Sequence, residues 1–429
     1  TTTTPTTTTP TTTTPTTTTP TTTTPTTQQS FAWTQVGSDI DGEAIGDYNG
    51  SSVSLSSDGT RVAIGAPNNS GNKDTSGHVR VFELQGGAWK QLGADIYGEA
   101  EFDSSGRSVS LSSDGTRVAI GAFLNDSNGD TSGHVRVYEL QGGAWTQIGI
   151  DIDGEAKGDY SGYSVSLSSD GTRVAIGAPH NDTSADNSGH VRVYEFLNGD
   201  WTKIGEDIHG EDTYDKSGFS VSLSSDGTRV AIGAIYNSGN DRFINYLFKG
   251  HVRVYKLQGG KWTQVGADID GELINDESGY SVSLSSNGNR VAVGANGNDG
   301  NGRNSGHVRV YELQGGAWVQ IGADIDGEAE FDGSGRSVSL SSDGTRVAIG
   351  AKGNDADGNK IDSGHVRVYE LQDGEWKQIG PDIDGEASAD ESGSSVSLSS
   401  DGTRVAIGAP KNDGNGGDSG HVRVYEFKG

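Results

Sequence analysis

The chain has 429 residues, a formal net charge of -28 and no cysteine. The negative charge argues against binding to bare nucleic acid phosphates and favours cations or basic partners, and the lack of cysteine excludes disulfides and thiolate metal sites. No apolar run reaches the roughly 18 residues that a membrane-spanning helix needs, so we expect no membrane span.

The first 27 residues form a threonine and proline tract, in which Thr-Thr-Thr-Thr-Pro occurs five times before a final Thr-Thr. Such a segment has no apolar surface to bury, and its prolines favour an extended polyproline II backbone. At about 3.1 Å per residue it could reach on the order of 80 Å. We therefore predict that residues 1–30 are a stalk and that residues 31–429 are the folded domain.

The tract resembles the O-glycosylated stalks of mucins and the hydroxyproline-rich glycoproteins of algal surfaces. This resemblance implies covalent glycans along the tract, whereas the alternative is a plain flexible linker. The candidate glycosylation positions begin with Thr1, Thr2, Thr3, Thr4, Pro5, Thr6, Thr7, Thr8, Thr9 and Pro10.

A repeat of about 56 residues fills the rest of the chain. Six of its seven copies contain Ser-Gly-His-Val-Arg-Val, the fourth contains Lys-Gly-His-Val-Arg-Val, and a tryptophan follows every copy except the last. Periods of this size indicate a closed or stacked array of one supersecondary unit. The seven tryptophans are Trp33, Trp89, Trp145, Trp201, Trp262, Trp318 and Trp376.

Four short strands can be predicted in each copy. In the second complete copy they cover residues 106–111, 117–122, 134–140 and 145–149, which alternate small or polar with apolar residues. Asp-Gly and Gly-Gly pairs join two of the strand pairs as tight hairpins, and longer Asn- and Asp-rich loops make the other connections. Seven such four-stranded antiparallel units predict an all-β, seven-bladed β-propeller with both sets of long loops on one face.

The ring is predicted to close by pairing of the strand at residues 33–37 with residues 421–427. The last copy lacks its outermost strand, and the first strand of the domain is the spare piece. Closure leaves no long open sheet edge. The alternative is that this strand completes the ring of a neighbouring molecule.

The phrase that runs from Ser-Gly-Tyr163 through Val-Ala-Ile-Gly177-Ala178-Pro179 to Gly189-His-Val-Arg-Val-Tyr194 resembles the FG-GAP repeat of integrin α-chain propellers. The resemblance extends over residues 33–429 and implies the same propeller fold. In that family, an Asp-x-Asp-x-Asp-Gly hairpin holds calcium in certain blades. Here the hairpin has Ser-Ser-Asp-Gly-Thr, and one acid cannot supply the six to eight oxygens that calcium takes.

A second acidic pattern lies in the long loop before each innermost strand, where acids alternate around a glycine. One interpretation is a small calcium loop; the other is that the carboxylates cap turns and keep the surface soluble. No cofactor is required under the second interpretation. The candidate calcium ligands are Asp39, Asp41, Glu43, Asp47, Asp151, Asp153, Glu155 and Asp159.

Four N-glycosylation sequons lie in the long loops, at Asn49, Asn68, Asn125 and Asn181. Together with the tract, they predict a heavily glycosylated exterior. The chain begins with Thr1 rather than methionine, so we expect a processed or partly determined chain from which a secretion signal is missing, and an extracellular location.

One long loop is apolar instead of acidic, which predicts an interface with another molecule or a plug over the channel. Its candidate contact residues are Ile235, Tyr236, Phe243, Ile244, Tyr246, Leu247 and Phe248.

The sequence does not bring a nucleophile, a base and an orienting acid to one place, so we predict no catalysis. The stalk and the apolar loop favour a structural subunit of an extracellular glycosylated fibril, with copies of itself and glycans as partners. The alternative is a stalked adhesion or carbohydrate-binding module that uses calcium.

Overall fold

The protein is a seven-bladed β-propeller built from antiparallel sheets. The computed structural model describes residues 1–5, 31–238, 248–355 and 360–428. Those residues contain no helix long and apolar enough to cross a bilayer.

Each blade has four strands in the order predicted, from the channel outward. The innermost strands are β3 (Ser52–Leu55), β8 (Ser108–Leu111), β13 (Ser164–Leu167), β18 (Ser217–Leu223), β23 (Ser281–Leu284), β28 (Ser334–Leu340) and β33 (Ser395–Leu398). The second strands are β4 (Arg61–Ala66), β9 (Arg117–Ala122), β14 (Arg173–Ala178), β19 (Arg229–Ala234), β24 (Arg290–Ala295), β29 (Arg346–Ala351) and β34 (Arg404–Ala409).

The outer half of each blade follows the same plan. The third strands are β5 (His78–Gln85), β10 (His134–Gln141), β15 (His190–Leu197), β20 (His251–Gln258), β25 (His307–Gln314), β30 (His365–Gln372) and β35 (His421–Lys428). The outermost strands are β1 (Ala32–Gln35), β6 (Ala88–Gln91), β11 (Ala144–Gln147), β16 (Asp200–Lys203), β21 (Lys261–Gln264), β26 (Ala317–Gln320) and β31 (Glu375–Gln378).

A two-residue strand that the sequence analysis did not predict extends each blade edge. It follows the outermost strand and pairs with the start of the third strand, as when Asp153 lies opposite His134. These strands are β2 (Ile40–Asp41), β7 (Ile96–Tyr97), β12 (Ile152–Asp153), β17 (Ile208–His209), β22 (Ile269–Asp270), β27 (Ile325–Asp326) and β32 (Ile383–Asp384).

The two faces of the propeller differ in their connections. Tight hairpins join the first to the second strand and the third to the outermost strand, and both lie on one side, which we call the hairpin face. The long connections, such as residues 67–77, lie on the other side, which we call the loop face. Positive φ angles at Gly86 and Gly87 explain why Gly-Gly serves the outer hairpin of the first blade.

The ring is closed. Each innermost strand contacts those of its two neighbours, and β33 contacts β3. At the hairpin face, the backbone N–H of one hairpin serine donates to the carbonyl of the next around the whole circle, from Ser57 to Ser113 and finally from Ser400 back to Ser57 at 2.8 Å. This circle of seven serines narrows the hairpin end of the channel.

Strand β1 completes the seventh blade. It pairs antiparallel with β35, and Trp33 lies opposite Phe427. The Trp33 indole Nε1–H donates to the Ile379 carbonyl of the sixth blade at 2.8 Å. The equivalent Trp201, within the chain, donates to the Ile148 carbonyl at 2.9 Å. Each tryptophan therefore fastens its blade to the preceding one.

We predict that Trp33→Ala and Trp201→Ala destabilise the protein by similar amounts, about 3–5 kcal/mol each, because each removes a buried indole from an inter-blade core. Urea unfolding of the two variants measures this. The unfolding midpoint of Trp33→Ala should not change with protein concentration. A midpoint that rises with concentration would contradict closure within one molecule and indicate strand exchange between copies.

Candidate binding site on the loop face

One position of the repeat differs from blade to blade at the mouth of the channel. It is the residue after the glycine that precedes each innermost Ser-Val-Ser-Leu segment. In ring order it is Ser51, Arg107, Tyr163, Phe219, Tyr280, Arg336 and Ser394.

The five large members of this set lie next to one another along one side of the mouth. The rings of Tyr163 and Phe219 lie 5.0 Å apart between centroids, as do those of Phe219 and Tyr280. The Arg107 guanidinium lies 4.7 Å from the Tyr163 centroid, and that of Arg336 lies 4.6 Å from the Tyr280 centroid. We call these five half-buried side chains the aromatic–arginine arc. Tilted and edge-to-face ring contacts, together with cation–π contacts, hold the rings in place before any ligand arrives.

The arc lines a cavity of about 490 Å³ that also contacts Tyr48, Asn68 and Glu391. Glu391 accepts from the ammonium groups of Lys352 and Lys411 at 3.2 and 2.8 Å. Burial acts to raise the pKa of Glu391, but these two lysines outweigh it and lower the pKa. The carboxylate is therefore ionised and paired, which makes it a poor general base.

Positive charge lies at both ends of the arc. Burial, and to a smaller extent the positive charge of Arg107, lowers the pKa of Arg336, but an arginine stays charged at neutral pH. The Arg107 Nη2–H donates to the Tyr163 hydroxyl at 3.0 Å. The site thus offers flat apolar rings between two hydrogen-bond donors.

An outer set of exposed aromatics surrounds the mouth on the loop face. Phe102, Tyr214 and Phe331 are 57%, 50% and 54% exposed, and their φ angles are +67°, +67° and +68°. Bulky residues rarely adopt this left-handed backbone, and it costs roughly 1–2 kcal/mol per residue. Blades one and three have Gly46 and Gly158 at the equivalent position. We call the three aromatics the rim aromatics.

The predicted acids of the first calcium loop take several partners. Asp47 is buried and accepts from the backbone N–H of Ala44 at 2.9 Å and from Asn69 Nδ2 at 2.9 Å. Asp41 lies in β2, and its carboxylate and that of Asp39 lie near His421 of the seventh blade. Glu43 lies beside His78 of the first blade. The loop therefore uses Asp47 as a turn cap, whereas calcium binding by these acids stays a prediction.

The acids of the second predicted calcium loop also take separate partners. Asp159 accepts from the Ala156 N–H at 3.0 Å and from Asn181 Nδ2 at 2.9 Å. Asp153 lies in β12. Asp151 Oδ1 accepts from Gln147 at 2.6 Å, while its other oxygen lies 3.8 Å from the His134 ring. The remaining acid, Glu155, lies beside His190 and Arg192 of the third blade.

Three of the four sequon asparagines are buried. Asn49, Asn125 and Asn181 are 0%, 3% and 1% exposed. Their side-chain Nδ2 groups donate to the Ile40 carbonyl, to Asp103 and to Asp159. A bulky glycan on that nitrogen would not fit, so the expectation of glycans at these three is corrected. Asn68 is exposed and lies at the cavity.

The apolar loop of the fourth blade is described only at its two ends. Ile235 is buried. The rings of Tyr236 and Phe248 contact each other at 5.0 Å between centroids, and the Lys216 ammonium lies 4.8 Å from the Tyr236 centroid. The other predicted contact residues lie outside the described residues: Phe243, Ile244, Tyr246 and Leu247. Among the predicted stalk residues, Thr1–Pro5 are described and are exposed, whereas residues 6–30 lie outside.

Three segments of the chain match the FG-GAP repeat family, at residues 150–194, 270–311 and 383–425. Each segment starts near the acidic loop and ends in the third strand of its blade. Those three segments carry FG-GAP repeats. Such repeats are typical of extracellular proteins. No curated protein sequence matches the chain.

Solved propellers match the fold at low sequence identity. Kuenenia stuttgartiensis hydrazine synthase is 14% identical with a TM-score of 0.54, covering 87% of this chain and 94% of that one. The Myceliophteria thermophila Cps50 (Swd1) β-propeller domain is 10% identical with a TM-score of 0.54, covering 91% and 99%. These similarities establish the fold alone. One of these propellers is a synthase, but a shared fold does not show whether this protein is an enzyme or a binding protein.

The FG-GAP hairpin that holds calcium in integrins serves as a turn here. Asp58 accepts from the Ser56 hydroxyl at 2.7 Å and from the Thr60 N–H at 2.9 Å. Burial acts to raise the pKa of Asp58, but these hydrogen bonds lower it overall. The Asp58 carboxylate therefore already accepts hydrogen bonds from residues of its own turn.

The aromatic–arginine arc and the rim aromatics were missed by the sequence analysis. The available signal was variation between copies: the phrase around each innermost strand is otherwise uniform, and large side chains occur at one variable position. Their convergence becomes visible only when the copies are arranged in a ring.

We predict that Phe102→Gly raises the free energy of unfolding by roughly 0.5–1 kcal/mol, because glycine removes the left-handed strain but adds entropy to the unfolded chain. Differential scanning calorimetry against the wild type measures the change. The matched control is Phe31→Gly, which removes an exposed phenylalanine that is absent from the positive-φ residues. A loss of stability in Phe102→Gly as large as that in the control would contradict stored strain at Phe102.

Proposed function

We propose that this protein is a structural subunit of an extracellular glycosylated fibril, in which the Thr/Pro tract of one copy docks on the aromatic–arginine arc of the next. The observation that carries the proposal is the arc itself: three neighbouring aromatic rings between two arginines, at the open end of a cavity of about 490 Å³. The Thr/Pro tract of the same chain is a proline-rich segment of the kind that such an aromatic surface binds.

Aromatic surfaces are the usual receptors for polyproline II segments, since a stiff proline-rich chain loses little entropy on binding and lays its rings on aromatic faces. Tyr163, Phe219 and Tyr280 provide such faces side by side. Arg107 and Arg336 can donate to backbone carbonyls, threonine hydroxyls or sugar oxygens. The tract repeats at a regular proline interval, so one binding mode can serve every unit.

The tract joins the propeller on the face opposite the arc, and this arrangement favours docking between copies. Phe427, opposite Trp33, donates its N–H to the Thr403 carbonyl in the hairpin between β33 and β34 at 2.8 Å. The chain therefore enters β1 from the hairpin face, whereas the arc opens on the loop face. A tract that leaves one face and binds the opposite face of the next copy makes a head-to-tail contact, which generates an open filament when the rotation does not close.

The rim aromatics support the same assembly. Phe102, Tyr214 and Phe331 occur on alternate blades, two, four and six, and each is at least half exposed. Exposed aromatics held at an energetic cost are typical of contact surfaces. On the loop face they would contact the hairpin face of the neighbouring propeller around the docked tract.

We expect that deletion of residues 1–27 abolishes fibrils while the propeller remains folded, because β1 and the ring closure are retained. Electron microscopy of the native and shortened chains measures assembly, and far-UV circular dichroism checks the fold. Fibrils of normal appearance from the shortened chain would overturn docking of the tract. Isolated discs from the full-length chain would instead support the stalked adhesion module.

We also expect that Phe219→Ser weakens binding of a glycosylated Thr/Pro peptide to the shortened chain about fivefold, the loss of roughly 1 kcal/mol of aromatic contact. Serine is already present at this position in blades one and seven, as Ser51 and Ser394, so the fold tolerates it. Isothermal titration calorimetry measures the affinity.

The matched control for this variant is Ser51→Ala, at the same ring position on the other side of the mouth, which should leave the affinity unchanged. Equal affinities of Phe219→Ser and the wild type would exclude the arc as the receptor for the tract. Binding of unrelated glycans with the same affinity would support the adhesion alternative.

A further inference from the structure

A histidine and two carboxylates converge at the loop-face end of every blade. The histidine starts the third strand, one aspartate comes from the outer edge of the same blade, and the glutamate comes from the loop that crosses from the preceding blade. The sets are Glu43–His78–Asp95, Glu99–His134–Asp151, Glu155–His190–Asp207, Glu211–His251–Asp268, Glu272–His307–Asp324, Glu328–His365–Asp382 and Glu386–His421–Asp39.

The spacing within a set is too long for hydrogen bonds. His365 Nδ1 lies 3.9 Å from Glu328 Oε2 and 3.8 Å from Asp382 Oδ2. An N–H···O hydrogen bond spans about 2.7–3.2 Å. In the sets that involve His78, His134 and His190, the imidazole Nδ1 is buried and has no hydrogen-bond partner among the described residues. Each such nitrogen faces two carboxylates without making a bond to either.

The histidine of a set is buried, whereas its carboxylates are not. The His365 side chain is 2% exposed, whereas the Glu328 and Asp382 side chains are 46% and 32% exposed. A buried imidazole therefore meets carboxylates that remain open to solvent on the other side.

An arginine from the same strand as the histidine interacts with only one of the two carboxylate oxygens of the glutamate. Arg367 Nη1 lies 3.4 Å from Glu328 Oε1, while Oε2 of the same carboxylate faces the histidine. The guanidinium is held in place by its own bond to the Asp326 carbonyl at 2.7 Å. Two carboxylates and one guanidinium leave this set with one net negative charge, which favours a cation. In the third blade the Lys203 ammonium, 2.6 Å from Asp207 Oδ1, balances that charge.

We propose that these seven sets bind divalent first-row transition metal ions such as Zn²⁺, through the histidine Nδ1 and one oxygen from each carboxylate. Zinc at about 2.0–2.2 Å from its ligands places them about 3.4 Å apart in a tetrahedron, so the observed 3.8 and 3.9 Å requires only a small contraction. Solvent or a further ligand supplies the fourth position.

The donor set distinguishes zinc from calcium. Calcium takes six to eight oxygens, and each set has one nitrogen and two carboxylates. Imidazole suits zinc and its neighbours in the first transition row. Because the glutamate comes from the crossing loop and the other two ligands from the blade that follows it, a bound ion would tie the loop to that blade at every step of the ring.

The test uses the full-length chain, freed of metal with EDTA and then titrated with ZnCl₂ in a calorimeter. We expect up to seven zinc ions per chain, and excess Ca²⁺ should not displace them. The double variant Glu99→Gln/Asp151→Asn keeps the side-chain shapes of one set, and it should bind one ion fewer. The control is Glu101→Gln, an exposed acid on the same face and outside all seven sets, which should bind the wild-type number.

Absence of zinc binding, displacement by Ca²⁺, or an equal number of ions in the double variant and the control would overturn the proposal. Circular dichroism confirms that the double variant is folded. Glu328→Gln/Asp382→Asn provides a second set if the first variant fails to fold. Zinc-edge X-ray absorption gives an independent readout, because the proposal requires one nitrogen and otherwise oxygen neighbours.

Discussion

Close approach between neighbouring blades is the constraint on which this structure depends. The glycine near the end of each second strand lies against the backbone of the next blade, where a Cβ on Gly121 would lie only 2.0 Å from the Gly162 carbonyl oxygen. The same contact recurs around the ring, including Gly408 against Gly50 across the closure. Any larger side chain would push two blades apart. The Val-Ala-Ile-Gly-Ala segment is therefore a requirement of the ring geometry.

That constraint divides each repeat into fixed and free positions. The residues between blades are fixed by packing: Val, Ala, Ile and Gly of the second strand are buried, and the tryptophan indole donates across to the preceding blade. The positions that face the channel mouth and the loop surface have no such restriction. The aromatic–arginine arc and the rim aromatics occur there, where large side chains replace the serine or glycine of other blades. Differences between copies are therefore where recognition chemistry is found on this scaffold.

The histidine sets show the opposite behaviour, since they are the same in every blade. A sevenfold feature can be structural, and the buried imidazole does pack within the blade. Packing does not explain why two carboxylates from different loops point at it from 3.8 and 3.9 Å in the sixth blade. The proposed ion sites and the proposed receptor surface can coexist on one face because they lie at different distances from the propeller axis. The ion sites lie in the outer half of each blade, and the receptor surface lies at the channel mouth.

The sequence by itself determined the number of blades, the four main strands of each and the face that carries the long loops. These follow from local patterns: alternation along a strand, turn residues at hairpins and the repeat period. It also identified Asp47 and Asp159 as acids within turns, one of its two interpretations. Only the tertiary structure decided which acids meet, because Glu43 approaches His78 across a blade boundary that no local pattern encodes. The same holds for burial of Asn49, Asn125 and Asn181 and for the arc, whose residues are about 56 positions apart in sequence yet lie in contact in the closed ring.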